Sequence, residues 1–377
     1  MRILYCTNQL YVHGGIERIL SQKMNALVQD YGHEVYLLTF EQKDQNFVYN
    51  LNKKIIFNDL RINYLSGKSY YNPKNIIKIV KHFFKLKSAI TRIKPDIIIS
   101  ISFTPDQYFL PFIDKKIPKI KELHSSGIIV SKCANQGKGF KVWFNNKLID
   151  VFNKYNSLVL LNKDEKKYFP RANTFEINNF TDFVVENNIE KENTIIAAGR
   201  IVPAKQFEEL AFIWKKIHLN FPDWKIKIFG DGDAYIIINL KKIVSELQIE
   251  NSFLIFEATK NIKLEMQKSK VYAMTSQTEC FPMVLLEAQI CGLPIISYDC
   301  PNGPRNIINN EVDGFLIEDK NRILFAEKLS FLLTNKDLLI KMSQNSSVNV
   351  NRFNKSKIMT IWNNLFQEVL KKAQSNR

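Results

Sequence analysis

Cysteine is scarce and unpaired in this sequence: five in 377 residues (Cys6, Cys133, Cys280, Cys291 and Cys300), none in a CxxC spacing. Set mostly in apolar segments, they read as buried reduced thiols, which excludes a cysteine-held metal centre or redox motif. No apolar run approaches the ~18–20 residues of a membrane span. There is no GxGxxG, which counts against a dinucleotide cofactor, and no basic stretch interleaved with aromatics, which counts against nucleic acid. Short-period repeats and low-complexity tracts are missing too. One region lacks acid altogether: residues 60–95 hold nine Lys or Arg and no Asp or Glu.

What remains is an ordinary globular composition, 45% hydrophobic and 24% charged, with length for two domains. The opening MRILYCTN reads as a strand rather than a signal peptide, so a cytoplasmic protein is expected, at most peripheral on the inner face of the membrane. The net charge of +16 comes with Lys spread along the whole chain. Within the acid-free region, NPKNIIKIVKHFFKLKSAITRIK has helical spacing. Lys74, Lys78, Lys81 and Lys85 fall on one face, and Ile79, Phe83, Leu86, Ile90 and Ile93 on the other. That basic face is either solvated surface or a site by which residues 74–94 dock on an anionic membrane, at ~1 kcal/mol per basic residue.

Apolar strands alternate with helical patterns. Candidate strands are 2–7, 34–40, 96–102, 119–123 and 157–162, then 194–200, 225–232, 253–258, 271–276 and 294–298. Strands separated by helices imply parallel sheets with right-handed crossovers, and two such series imply an α/β protein of two Rossmann-like domains. The expected divisions are 1–179, a polar hinge over 180–193, 194–354, and an amphipathic helix within 355–377.

In parallel sheets ligands bind beyond the carboxyl ends of the strands. Glu279 and Glu287 stand out there, in TSQTECFPMVLLEAQICGLPIIS. The first lies in the loop after strand 271–276. The second lies about one and a half turns into a helix with almost no polar face, where a carboxylate is costly without partners. Arg200 and Lys205 share another strand-to-helix loop, a placement that suits a diphosphate and its departing charge. Gly14-Gly15 opens a helix after the first strand, where free N–H groups favour anions. His124 ends a short strand; it is either a donor to substrate or a satisfied structural histidine. Asp231-Gly232-Asp233 reads as a turn rather than a metal site. In CPNGPRNII the backbone N–H groups of 303, 305 and 306 are candidates to face a phosphate or sugar.

Together these residues resemble a retaining GT-B glycosyltransferase of family 4, a likeness running over nearly the whole chain. It is most specific in S-x-x-E-x-F-P-x-V-L-L-E-A-x-x-x-G-L-P-I-I (276–296), with GGIER (14–18) and GRIVPAKQF (199–207) in support. GDGD (230–233), NNFTD (178–182) and NRF (351–353) add weaker agreement. The resemblance implies two domains facing a central cleft: an N-terminal acceptor domain, a C-terminal nucleotide-sugar donor domain, and a final helix crossing back to the first. It implies that Glu287 binds the ribose and Glu279 the donor sugar. Arg200 and Lys205 would hold the diphosphate, Gly14 and Gly15 would close over it, and His124 would stand beside the sugar. Phe281, Pro282, Met283 and Val284 would complete the donor site. No metal or other cofactor is implied. The expected partners are a nucleotide-diphosphate sugar, UDP-linked, carrying a hexose or N-acetylhexosamine, and a glycan or lipid-linked glycan acceptor in surface polysaccharide synthesis. Cys280, Glu257 and Arg305 depart from the family's pattern, leaving the donor sugar open. A non-hydrolysing sugar-nucleotide epimerase of similar fold and a silent nucleotide-sugar-binding module are the alternatives.

Overall fold

The computed structural model describes residues 1–134, 139–181, 185 and 189–375. Much of the expected hinge, residues 182–184 and 186–188, lies outside the described residues, as does the side chain of Cys133. The other four cysteines are buried, with no disulfide among the described residues. The chain divides into two compact units, Met1–Asn178 with Ser356–Arg377, and Asn179–Lys355.

The first unit is built on a seven-stranded sheet of order β3-β2-β1-β4-β5-β6-β7. Its strands are β1 Arg2–Thr7, β2 Glu34–Thr39, β3 Ile56–Asp59, β4 Ile97–Ser100, β5 Lys119–Glu122, β6 Ser157–Leu160 and β7 Thr174–Glu176. The second is built on a six-stranded sheet of order β10-β9-β8-β11-β12-β13. Here β8 is Thr194–Ala198, β9 Lys225–Phe229, β10 Phe253–Phe256, β11 Val271–Met274, β12 Ile295–Tyr298 and β13 Gly314–Ile317. Every pairing in both sheets is parallel. Near-continuous Ile, Leu and Val runs suit strands covered on both faces.

The Lys355–Ser375 helix buries Ile358, Met359, Trp362, Leu365, Phe366 and Val369, one apolar stripe at helical spacing. It is grouped with the first unit, where Asn363 meets His33 Nε2 at 3.1 Å. Thr181 and Asn354 form a parallel bridge, so the two ends of the second unit lie side by side.

The Pro73–Ile93 helix differs from its expected faces. Leu86, Ala89, Ile90 and Ile93 do pack into the core. Lys78 and Lys85, however, turn inward and donate to the carbonyls of Asn63 and Leu60. The segment after β3 carries left-handed Arg61 and Asn63, and its carbonyls lie within reach of those two lysines. The four-lysine face is therefore corrected to Lys74 and Lys81, and the exposed side next to them is apolar: Ile77 (69% exposed), Val80 (52%) and Phe84 (62%).

Candidate active site

Both strand orders reverse beside the first strand of the unit, between β1 and β4 and between β8 and β11. At such a switch point the loops diverge to opposite faces and leave a crevice at the carboxyl edge.

In the second unit three loops converge there. The loop after β8 and the loop after β11 are stitched together: Thr275 Oγ1 donates to the Gln206 carbonyl (2.9 Å) and Gln277 N to that of Ala204 (2.8 Å). This register brings Lys205 Nζ to 2.6 Å from Glu279 Oε1, with the two side chains 22% and 16% exposed. Gly199, at φ +151°, lets the lysine lie across the strand end; a Cβ there would stand 3.2 Å from Lys205 Cε. From the other side the loop after β12 seats Glu279. Asn302 bridges to it, and a Cβ on Gly303 would come within 2.6 Å of Glu279 Cβ. Arg200 is exposed in the same β8 loop and has no hydrogen bond or ion pair to a described residue. The unit thus presents one free guanidinium and one ammonium–carboxylate pair at its switch point.

The Met283–Ile290 helix starts there without a side-chain cap, leaving N–H groups for an anion. Phe281, Pro282 and Met283 are buried at its start and Val284 half-buried. The ring of Phe281 packs edge-on against Phe353 (5.4 Å), so its side chain serves the core. Glu287, one of the residues buried on this helix, is 3% exposed. Cys280 is buried. Arg305 is engaged by a bidentate pair with Asp299 (2.9 and 2.7 Å), and the N–H of Asn306 is taken by the Gly303 carbonyl at 3.2 Å. Asp231 Oδ1 accepts from Ala258 N (2.9 Å) and Asp233 caps the Ala234–Glu246 helix, so both carboxylates of GDGD serve local structure.

Gly14, Gly15 and His124 belong to the first unit. Gly14 caps the Gly15–Gln29 helix in an extended conformation (φ −156°) open to any residue, and Glu17 lies over it, held by Gln9 at 3.0 Å. The His124 side chain is 2% exposed with Nε2 3.0 Å from Glu122 Oε1. Lys23 bonds the same oxygen, and its ammonium stands 4.1 Å over the centroid of Trp362 on the last helix. Burial alone would push the Glu122 carboxyl up; Lys23 and His124 outweigh it and hold it at about 2. Sequence reasoning missed Lys23, Glu122 and Trp362. The available signal was a lysine among Ile19, Leu20, Met24 and Leu27 on the apolar face of its helix.

Two doubly wound parallel units, one with a cation–carboxylate pair and an uncapped helix at its switch point, have the GT-B fold. Residues 179–348 match the glycosyl transferases group 1 family model. It is 27% identical over 363 residues to an uncharacterized glycosyltransferase of Haemophilus influenzae, covering 93% of this chain and 95% of that one. It is 26% identical over 370 residues to an alpha-1,4-N-acetyl-D-galactosaminyltransferase of Campylobacter jejuni named for a GalNAc-bearing PP-undecaprenol, covering 94% and 96%. Among solved structures, HepE of Anabaena in complex with UDP superposes with a TM-score of 0.76 at 16% identity, covering 98% of this chain and all of that one. Among the described residues no helix is long and apolar enough to cross a membrane.

Proposed function

We propose that this glycosyltransferase moves a hexose or N-acetylhexosamine from a UDP-sugar to a glycan or lipid-linked glycan, with retention of anomeric configuration, in surface polysaccharide synthesis. The observation that carries the proposal is the Lys205–Glu279 pair beside an unpaired Arg200. In it the sugar–oxygen bond to the diphosphate breaks and its electron pair leaves toward the Arg200 guanidinium, the Lys205 ammonium and the helix start at 283. The acceptor hydroxyl attacks from the same face, and its proton departs with the diphosphate. Glu279 holds the sugar hydroxyls, and Glu287 the ribose. The acceptor is assigned to the first unit. UDP in the HepE complex and the undecaprenol-linked glycan of the Campylobacter relative support this choice of partners.

Thermal-shift titration with UDP, GDP and ADP should show selective stabilisation by UDP, growing with ligand excess over its dissociation constant. NMR of the product should then show the donor's anomeric configuration. Equal response to all three nucleotides, or an inverted product, overturns the proposal. Conversion of the donor sugar with no acceptor present points instead to the epimerase.

A second reading, docking on an anionic membrane, is favoured by the outer face of the Pro73–Ile93 helix. Ile77, Val80 and Phe84 are exposed in one stripe with Lys74 and Lys81 beside them, and residues 60–95 contain no acid. The protein should float with phosphatidylglycerol vesicles and not with phosphatidylcholine, more weakly as salt rises. Ile77→Ser with Phe84→Ser should abolish flotation; if the double variant floats as wild type does, this face is plain surface.

A further inference from the structure

A cavity of about 460 Å³ opens beyond the carboxyl ends of β2 and β3, in the range of small-molecule sites. Asp44, Asn46, Asn58 and Asp59 line it with Phe47 and Phe57. The two rings meet edge-to-face at 4.9 Å, and Phe57 is 40% exposed. Asp59 accepts from Thr39 Oγ1 through Oδ1 at 3.0 Å, and its Oδ2 is buried, so this carboxylate belongs to the wall, whereas Asp44 is exposed at the rim.

The walls are held in an uncommon backbone. Lys43 and Asp44 on one side, and Arg61 and Asn63 on the other, all have φ between 49° and 55°. Non-glycine residues in the left-handed region are strained, and such strain gathers at binding sites. The surroundings hold them there. The buried Gln42 donates to the Gln45 carbonyl, Arg61 closes on Asp44 at 2.6 Å, and the inward Lys78 and Lys85 take the carbonyls of Asn63 and Leu60. Gln42 also accepts from Leu10 N at 2.9 Å, which ties this wall to the loop carrying Gly14 and Gly15.

The lining selects its occupant. Two carboxylates with one arginine already paired repel a phosphate or another anion. Carboxylate and amide groups disfavour a lipid tail. A neutral, hydroxyl-rich ligand satisfies them: hydroxyls donate to the exposed Asp44 carboxylate and exchange hydrogen bonds with Asn46 and Asn58, while the C–H face of a ring lies on Phe57. We propose that this cavity is a glycan subsite, holding sugar units of the acceptor away from the reacting end. The inference rests on the transferase reading and adds where the acceptor is gripped.

A glycan array of tagged oligosaccharides built from neutral hexoses and N-acetylhexosamines tests it, followed by calorimetry on the best-bound one, using the full chain. Phe57→Ala and Asn58→Ala should each weaken that oligosaccharide about tenfold, leaving UDP affinity and melting temperature unchanged. Equal glycan binding by wild type and both variants overturns the subsite. UDP binding by the same preparation separates the two ideas. No glycan bound with UDP bound overturns the subsite alone, whereas loss of both overturns the transferase reading.

Discussion

Lys205→Ala and Glu279→Ala should each lower transfer about 10²- to 10³-fold while the protein stays folded. Both parts of that expectation come from the same geometry. The pair is partly exposed, at 22% and 16%, and an ion pair in such a setting contributes ~0–1 kcal/mol to stability, so melting should hardly move. Its electrostatic value lies elsewhere. An ammonium fixed at a switch point meets charge that exists only as the diphosphate leaves, and such an interaction acts on kcat rather than on substrate binding. Lys205→Arg should recover only part of the activity, because a planar fork does not reproduce a point charge 2.6 Å from Glu279. The double variant should lose less than the product of the two single losses, since the residues act as a unit. Near-normal kcat in both single variants sinks the assignment of the site.

The chemistry of each residue was easier to read than its partner. Glu287 announced itself as an acid inside an apolar helix, and the structure buries it to 3% exposure. That Lys205 reaches Glu279 was not readable, because the two lie 74 positions apart and meet only through the pairing of β8 with β11. Strands β3, β7 and β13 escaped for local reasons. The first two are short, one exposed and the other half-buried, so they carry little apolar signal, and the third opens on Gly314. There a Cβ would stand 2.1 Å from the Ile295 carbonyl, and the close packing that requires glycine erases the strand pattern. Periodicity placed the apolar face of the Pro73–Ile93 helix correctly. It assigned Lys78 and Lys85 to solvent because spacing encodes angle around the axis and not what a neighbouring loop offers.

The second large effect falls on stability. Glu122→Gln should cost the first unit about 3–5 kcal/mol at neutral pH, the cost of breaking a buried charge pair and stranding its partner. Lys23 and Glu122 have side chains only 2% and 1% exposed, so the stranded ammonium has no water to recover. The loss should reach beyond β5, because Lys23 is also the cation under Trp362 and so couples the last helix to the first. The pH dependence has a definite sign. The carboxyl is held at about 2, below the ~4.3 of an unfolded glutamate, so its contribution is full above that unfolded value and fades as pH falls through 2. The stability gap between wild type and Glu122→Gln should therefore be widest near neutrality and close between pH ~4 and ~2. Hydrogen exchange of the β1 and β5 amides measures it locally, avoiding any assumption that both units unfold together. A gap below ~1 kcal/mol, or one that does not change with acid, would show that the cluster is not the ion pair described here. His124→Asn gives the companion result. If the ring only completes this cluster, amide protection falls while transfer by the folded fraction holds; a large loss of kcat at unchanged protection returns His124 to the reacting sugar.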